Sequence, residues 1–254
     1  MRHQWLLLLK HYSYLPLSKQ NYAVRELPQA LSLLPVWGIC VGVLLWLAAF
    51  LMPFLEYTWQ AALLLALMVF FNGGVWLRDL MTVADGRLPL TMLKTPANNA
   101  DKTDIENIRP VYAFGRKAWL IACFYLVLQY LALWLILRSG FSFAVLPALA
   151  VTERWVYLWG INNFAARRPA TLKLGFSKTN FAKSSIISII GVGFSAYFAP
   201  VLWPSLVVAL LAVWLFYRLR CNYLGALDEC SYGAASAWGG LILLWVYSVF
   251  MRMV

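Results

Sequence analysis

Long apolar runs separated by short polar loops are the feature of this sequence that most constrains its fold. Of the 254 residues, 63% are apolar and only 12% are charged, whereas soluble domains are about half apolar and about a quarter charged. About 20 apolar residues cross a bilayer as a helix. The sequence therefore predicts an all-α fold, a polytopic membrane helix bundle.

Seven apolar runs are candidates for membrane spans. They are Leu34–Met52, Trp59–Leu77, Ala118–Leu137, Phe141–Ile161, Ser185–Trp203, Leu206–Phe216 and Ala234–Met251. Pro53 closes the first run and Pro204 separates the fifth from the sixth, because proline interrupts a helix. If the two runs around Pro204 form a re-entrant hairpin, six spans remain. We expect a single integral-membrane domain over residues 1–254, with an amphipathic interfacial segment at 1–33 and the bundle at 34–254.

The distribution of basic residues predicts the orientation of the bundle. With the N-terminus in the cytoplasm, 18 of the 21 Lys and Arg residues lie on the cytoplasmic side, as the positive-inside rule requires. We therefore expect a multi-pass protein of the bacterial inner membrane whose inner loops, 78–117, 162–184 and 217–233, meet over one site. The lipid bilayer is one expected partner, and an oligomer is compatible with the sequence. No basic, aromatic-interleaved module indicates binding to nucleic acid.

The stretch GGVWLRDLMTVADG, residues 73–86, places acidic residues at the end of an apolar run. Carboxylates are the ligands that magnesium prefers, usually one or two together with water and phosphates. In a continuous helix, Asp79 and Asp85 are about 240° apart and do not share a face. An unwound turn, which the glycines permit, would bring them together. A charged helix exit at the membrane surface is the alternative interpretation.

Three further groups of charged residues have two interpretations each. Asp228 and Glu229 precede the last apolar run, where acids are favoured by the helix dipole or contribute to an acidic site. Arg167 and Arg168 lie in a basic loop that suits either anionic lipid or a phosphate. Arg154 lies inside a predicted span, where ionisable groups face the protein interior or a water-filled cavity; it is either functional or a structural partner.

Several segments, taken in order along nearly the whole chain, resemble the cobalamin synthase family of membrane enzymes, also called adenosylcobinamide-GDP ribazoletransferases. The segments are LLLKHYSYLPLS near the N-terminus, LPVWGICVG at 34–42, ERWVYLWG at 153–160, FAARRPATLKLGFSK at 164–178 and LGALDECSYGAASA at 224–237. Arg154 matches the family's Ser-Arg-Trp element. Gly233 matches its closing Gly-Asp-x-Leu-Gly-Ala motif, in which Cys230 stands where the family has its acid. Arg109 matches a weaker Arg-Asp-Ser-Arg-x-Gly element.

The family's acidic motif, Gly-Gly-x-His-x-Asp-Gly-x-x-Asp-x-x-Asp-Gly, is only partly kept at residues 73–86. The matching residues are Gly73, Gly74, Asp85 and Gly86. The histidine is replaced by Trp76, and two of the aspartates are replaced by Arg78 and Thr82. Asp79 lies one position beyond the first of them. We therefore expect weak magnesium binding, because Arg78 opposes a cation electrostatically.

The resemblance implies a transferase that joins adenosylcobinamide-GDP to alpha-ribazole, or to its 5'-phosphate, and releases GMP. Magnesium held by carboxylates supports such chemistry. The implied catalytic residues are Asp85, Asp228 and Glu229. The implied metal ligands are Asp85, Asp79 and Asp228. The implied phosphate-binding residues are Arg78, Arg109, Arg154, Arg167 and Arg168.

Three other functions compete with this one. The first is a catalytically impaired relative that binds corrinoids or assists assembly at the membrane, which the replacements Arg78 and Thr82 favour and the retained acids disfavour. The second is a membrane transferase for another nucleotide-activated or isoprenoid substrate; the isoprenoid version would need an Asn-Asp-x-x-Asp motif that the sequence lacks. The third is a transporter, which the absence of visible internal repeats disfavours.

Overall fold

The fold was determined as a computed structural model that describes residues 4–6, 8–9, 30–86, 114–140, 143–164, 177–224, 227 and 229–253. Residues 4–6 and 8–9 are helical, and eight further α-helices lie in the described residues from Leu34 onward. They are α1 (Leu34–Leu51), α2 (Tyr57–Phe71), α3 (Val75–Asp85), α4 (Arg116–Arg138), α5 (Val145–Asn163), α6 (Lys178–Phe198), α7 (Leu202–Leu224) and α8 (Glu229–Met253). A short 3-10 turn, Leu31–Leu33, leads into α1. The predicted all-α bundle is confirmed. Most of the predicted interfacial segment at 1–33 lies outside the described residues.

The helices are long and apolar enough for a multi-pass membrane protein. Among the described residues, five helical stretches can each cross a bilayer by length and composition, and the bent pair α2–α3 brings the number to six. The predicted run Phe141–Ile161, which corresponds to α5, does not meet these criteria, so the seven predicted spans are one too many for the described part of the chain. Large apolar side chains are exposed on the outer faces of several helices, such as Phe50 on α1, Phe124 on α4 and Phe194 on α6. Exposed apolar surface on this scale is a liability in water but suits a lipid environment.

Helix α5 occupies the centre of the bundle. It packs against α1, α6 and α8, and 14 of its 19 residues are buried. The contact with α1 is close because Gly38 and Gly42 leave room for the backbone of α5. A Cβ at Gly38 would lie 2.8 Å from the Ala150 carbonyl oxygen, and one at Gly42 would overlap Pro147. This is the small-xxx-small packing that membrane helices use where apolar burial gives little driving force.

The C-terminal end of the second predicted span, Trp59–Leu77, was placed too late in the sequence. Helix α2 stops at Phe71, and α3 leaves it at an angle of 83°. Gly73 and Gly74 have φ values of 59° and 61°, in the left-handed region where glycine carries no steric cost. The unwound turn that the glycines permit therefore exists, but it lies before Asp79 rather than between Asp79 and Asp85.

The break between the fifth and sixth predicted spans was also misplaced. Helix α6 ends at Phe198, and α7 begins at Leu202, so that Pro204 lies in the first turn of α7. Proline is tolerated there, because the first N–H groups of a helix have no partner within the helix. The predicted run Leu206–Phe216 was consequently too short. Helix α7 has 23 residues and crosses on its own.

Candidate functional site

Helix α3 carries the acidic motif, and left-handed glycines limit it at both ends. It begins after Gly74 and ends before Gly86, whose φ is 66°. The helix is continuous from Val75 to Asp85, so that Asp79 and Asp85 are about 240° apart around its axis. Asp79 and Asp85 accordingly contact different helices, so this part of the motif does not converge on one point.

Asp79 lies at the contact between α3 and α8. Its side chain is buried and forms an ion pair with Arg78, at 3.6 Å between Nη2 and Oδ1, while the Arg78 side chain is 37% exposed. The carboxylate lies directly against Gly233 of α8, where any Cβ would overlap it. Gly233 belongs to the closing motif of the sequence and Asp79 to the acidic motif. The two motifs, which are more than 150 residues apart in the chain, thus meet in the fold.

Asp85 connects the end of α3 to the start of α4. Its Oδ2 accepts a hydrogen bond of 3.1 Å from the backbone N–H of Gly115, the residue before α4. A Cβ at Gly115 would approach Asp85 Oδ1 to 2.5 Å. Asp85 therefore joins the two ends of the loop at 87–113, a loop that itself lies outside the described residues. Its side chain is half-buried, so it remains accessible from one side.

Two residues that replace motif residues of the family, Thr82 and Trp76, make contacts that stabilise the fold. The Thr82 hydroxyl donates to the backbone carbonyl of Arg78 at 2.9 Å, a bond within α3. The Trp76 ring packs on Tyr157 of α5, with 5.2 Å between ring centroids. The positions where the family has an aspartate and a histidine therefore stabilise the helix and its packing in this chain.

An aromatic cluster that the sequence analysis did not identify supports this end of the bundle. Tyr157 of α5 contacts Tyr232 of α8 at 6.2 Å, and Tyr232 contacts Tyr217 of α7 at 6.0 Å. Phe164, which directly follows α5 in the loop at 162–184, lies 4.8 Å from Tyr217 between ring centroids. A Cβ at Gly160 would meet both Tyr217 and Tyr232. The cluster thus brings together residues at the edges of the loops 162–184 and 217–233. That these loops and the loop 78–117 meet over one site stays a prediction, because the loop interiors lie outside the described residues.

Arg154 lies deep inside the bundle, with 1% of its surface exposed. Its Nη1 donates to the carbonyl of Ala150 at 2.7 Å, and its Nη2 donates to Oδ1 of Asn72 at 2.6 Å. Asn72 is the residue that follows α2, at the bend before α3. The adjacent Glu153 is equally buried and lies against Gly240 of α8.

The remaining predicted site residues lie outside the described residues. They are Asp228, Arg109, Arg167 and Arg168. Glu229 is the first residue of α8, one helical turn before Gly233, and only its backbone is described.

A magnesium site is only partly represented in the described residues. They contain no group of three His, Cys, Asp or Glu side chains that could hold a metal ion. Magnesium bound with a phosphate substrate, however, usually needs only one or two protein carboxylates. Asp79, held against the α8 backbone by the missing Cβ of Gly233, suits that donor chemistry. A second protein ligand would have to come from residues 228–229, because Asp85 contacts Gly115 and does not converge with Asp79.

Comparison with known proteins places the whole chain in one family. The family described as Cobalamin-5-phosphate synthase matches residues 4–248. An adenosylcobinamide-GDP ribazoletransferase of Desulfitobacterium hafniense (strain Y51) is 30% identical, over 96% of this chain and 95% of that protein. No solved structure matches the chain. The matched residues include helix α3, the central helix α5, and both Asp79 and Gly233. The chain belongs to the cobalamin-5-phosphate synthase family.

Proposed function

We propose that this protein is a membrane-bound adenosylcobinamide-GDP ribazoletransferase. It joins adenosylcobinamide-GDP to alpha-ribazole, or to its 5'-phosphate, and releases GMP. The observation that carries the proposal is the contact between Asp79 and Gly233, because it brings together the two segments that most resemble the family's motifs. The relative of Desulfitobacterium hafniense bears the name of the same activity.

The reaction is a displacement at phosphorus. A hydroxyl oxygen of ribazole forms a bond to the phosphorus attached to the corrinoid arm, and the bond from that phosphorus to the GMP oxygen breaks. The hydroxyl proton is lost and GMP leaves with the electron pair. Catalysis of such a step depends mainly on positioning and on neutralising the phosphate charge. Asp85, Asp228 and Glu229 are the proposed catalytic carboxylates, of which Asp85 is half-buried and accessible.

Cationic side chains would bind the diphosphate. Arg78 is the described candidate, since its side chain is partly exposed beside Asp79, and Arg109, Arg167 and Arg168 are the candidates in the loops. Asp79 and Asp228 would hold magnesium, and a bound magnesium ion would neutralise phosphate charge. Asp85, the third carboxylate that the resemblance implies as a ligand, contacts Gly115 rather than the surroundings of Asp79. The ion pair between Arg78 and Asp79 weakens magnesium binding, because it already compensates one carboxylate.

We further propose that the site faces the cytoplasm of the inner membrane, with the N-terminus inside. The support is the concentration of basic residues in the inner loops. A reporter fused into the loop at 87–113 should be active on the cytoplasmic side only. A reporter found on the outer side would contradict the orientation.

The activity can be tested directly with purified protein in lipid nanodiscs. Protein supplied with adenosylcobinamide-GDP, alpha-ribazole and magnesium should release GMP and form a corrinoid product of the expected mass, in equal amounts. Omission of ribazole should abolish both signals. Binding of adenosylcobinamide-GDP without turnover would contradict the proposal and would indicate a relative that binds corrinoids without catalysis.

A further inference from the structure

A buried polar cluster connects the centre of the bundle to the bend before α3. It consists of Asn72, Glu153 and Arg154. The Arg154 guanidinium donates to Oδ1 of Asn72 at 2.6 Å, and the Asn72 side chain also approaches the Glu153 carboxyl group. Glu153 and Arg154 are 2% and 1% exposed. Ionisable groups within a membrane-spanning bundle are costly and are kept where they have a defined function.

Two neighbouring helices are shaped around this cluster. A Cβ at Gly38 of α1 would lie 2.9 Å from Cδ of Arg154, and a Cβ at Gly240 of α8 would overlap the Glu153 carboxyl group. Glycine at both places lets the polar side chains lie in contact with the helix backbones. The cluster is therefore accommodated by α1, α5 and α8 together.

The bend that follows Asn72 is closed by backbone hydrogen bonds, from the N–H of Gly73 to the Phe70 carbonyl and from the N–H of Gly74 to the Val69 carbonyl, both at 3.1 Å. The chain turns by 83° through two consecutive left-handed glycines, which contribute no side chains to packing. Helix α3 has only 11 residues, and helices shorter than about 12–15 residues are marginal without tertiary contacts. Its orientation therefore depends on its packing against α4 and α8 and on the bend that connects it to α2. The hydrogen bond from Arg154 to Asn72 is an anchor at the start of this turn.

We propose that Arg154 is a positioning residue for the reaction. It holds Asn72, and through the bend it fixes α3 in the orientation that places Asp79 against Gly233. This inference rests on the proposed function, but it assigns to Arg154 a role through Asp79 rather than direct binding of a substrate phosphate. The guanidinium donors that the structure shows are used inside the bundle, which supports the indirect role.

The test compares Arg154→Met, Asn72→Ala and the double variant in nanodiscs. Each single variant should lower kcat about a hundredfold, since a displacement of about 1 Å can cost that much, while KM for both substrates stays within about twofold of wild type. The double variant should be no slower than the slower single variant, because the two residues act as one unit. In Asn72→Ala, which keeps both buried charges, amide hydrogen exchange should accelerate in α3 and stay unchanged in α5 and α8. Arg154→Met leaves the Glu153 charge uncompensated, so its exchange should rise in α3 and in the neighbouring helices as well.

Gln60→Met is the matched control. Gln60 is a buried residue at the other end of α2, and its amide donates to the Ala49 carbonyl of α1 at 2.7 Å. The variant removes a comparable polar contact between helices without touching the bend. It should keep wild-type kcat and the wild-type exchange pattern in α3.

Three results would overturn the inference. Unchanged exchange in α3 would show that Arg154 does not hold the bend. A large rise in KM for adenosylcobinamide-GDP, with normal kcat, would indicate direct phosphate binding. Faster exchange throughout the bundle in Asn72→Ala, which keeps both buried charges, would indicate a general loss of stability. If Arg154→Met does not fold, Asn72→Ala decides the question, and if the wild type lacks transferase activity, the exchange measurement decides it alone.

Discussion

Two glycines of α8 show how one packing arrangement serves two different purposes. Gly233 lies against the carboxylate of Asp79, and Gly240, two turns further along the same face, lies against that of Glu153. The surroundings differ. Asp79 is paired with Arg78, whose side chain is 37% exposed. Glu153 is adjacent to Arg154, which is 1% exposed.

The difference in surroundings suits Asp79 to a role in the reaction and Glu153 to a role in helix packing. Asp79 is buried, but its partner Arg78 is partly exposed, and we propose that a phosphate substrate meets the pair from that side. A carboxylate enclosed among α1, α5 and α8 can only influence the packing of those helices. Removal of one member of a fully buried charged cluster leaves the remaining charge uncompensated, which costs about 3–5 kcal/mol of stability.

The largest expected effect comes from neutralising each carboxylate in turn. Asp79→Asn should lower kcat about a hundredfold, on the order found when a preorganised electrostatic group is removed, with little change in the thermal unfolding midpoint. Glu153→Gln should lower that midpoint strongly, because Arg154 keeps its buried charge. Paired measurements of kcat and thermal unfolding in nanodiscs check both outcomes. An active, stable Asp79→Asn protein would remove Asp79 from the site.

Substitution of the two glycines, Gly240 and Gly233, by alanine should have a smaller effect. Gly240→Ala should destabilise the protein by about 1–3 kcal/mol, the typical cost of overpacking a close contact. Gly233→Ala should destabilise the protein less than Gly240→Ala does, because Asp79 lies on the short helix α3, which can shift away from the added methyl group. The same shift should lower transferase activity more than Gly240→Ala does. The same two assays measure this. Equal losses of stability in both variants would mean that the two contacts are not different in kind.

Much of the fold was readable from the sequence, because membrane spans depend on the length and composition of apolar runs. The runs that became α1, α4 and α5 were placed within a few residues. The break at Gly73–Gly74 was missed because the apolar composition continues through it to Leu77. Composition does not show that the helix axis changes direction there. Pro204 was misread because proline is compatible with the first turn of a helix as well as with a break.

The candidate site was readable only in part. The angle of 100° per residue correctly separated Asp79 from Asp85 once α3 was helical. The contact between Asp79 and Gly233 was not predictable, since local periodicity does not show which helices pack together. The spacing of seven residues between Gly233 and Gly240 was the one available signal. The roles of Asp228, Arg109, Arg167 and Arg168 stay predictions.

The third prediction separates the two functions that Asp85 has been given. Gly115→Ala should disturb only the contact between Asp85 and the start of α4, at a cost of about 1 kcal/mol, as for the loss of a helix cap. Asp85→Ala removes the same contact and the proposed catalytic carboxylate as well. It should therefore lower kcat at least about tenfold more than Gly115→Ala does, which single-turnover measurements can compare. Full activity of Asp85→Ala would show that Asp85 is structural.

The smallest expected effect concerns the charge beside Asp79. Two unit charges about 4 Å apart interact by about 4 kcal/mol at an effective dielectric of 20, but the exposure of Arg78 to solvent reduces this considerably. Arg78→Asp should therefore raise the affinity for magnesium about tenfold, and it should raise KM for adenosylcobinamide-GDP, because the proposed diphosphate ligand is lost. Arg78→Lys keeps the charge and should change neither. Calorimetric titration with magnesium, together with the product assay, measures both quantities. If Arg78→Asp and Arg78→Lys bind magnesium equally well, Arg78 does not oppose the cation, and Asp79 is not one of its ligands.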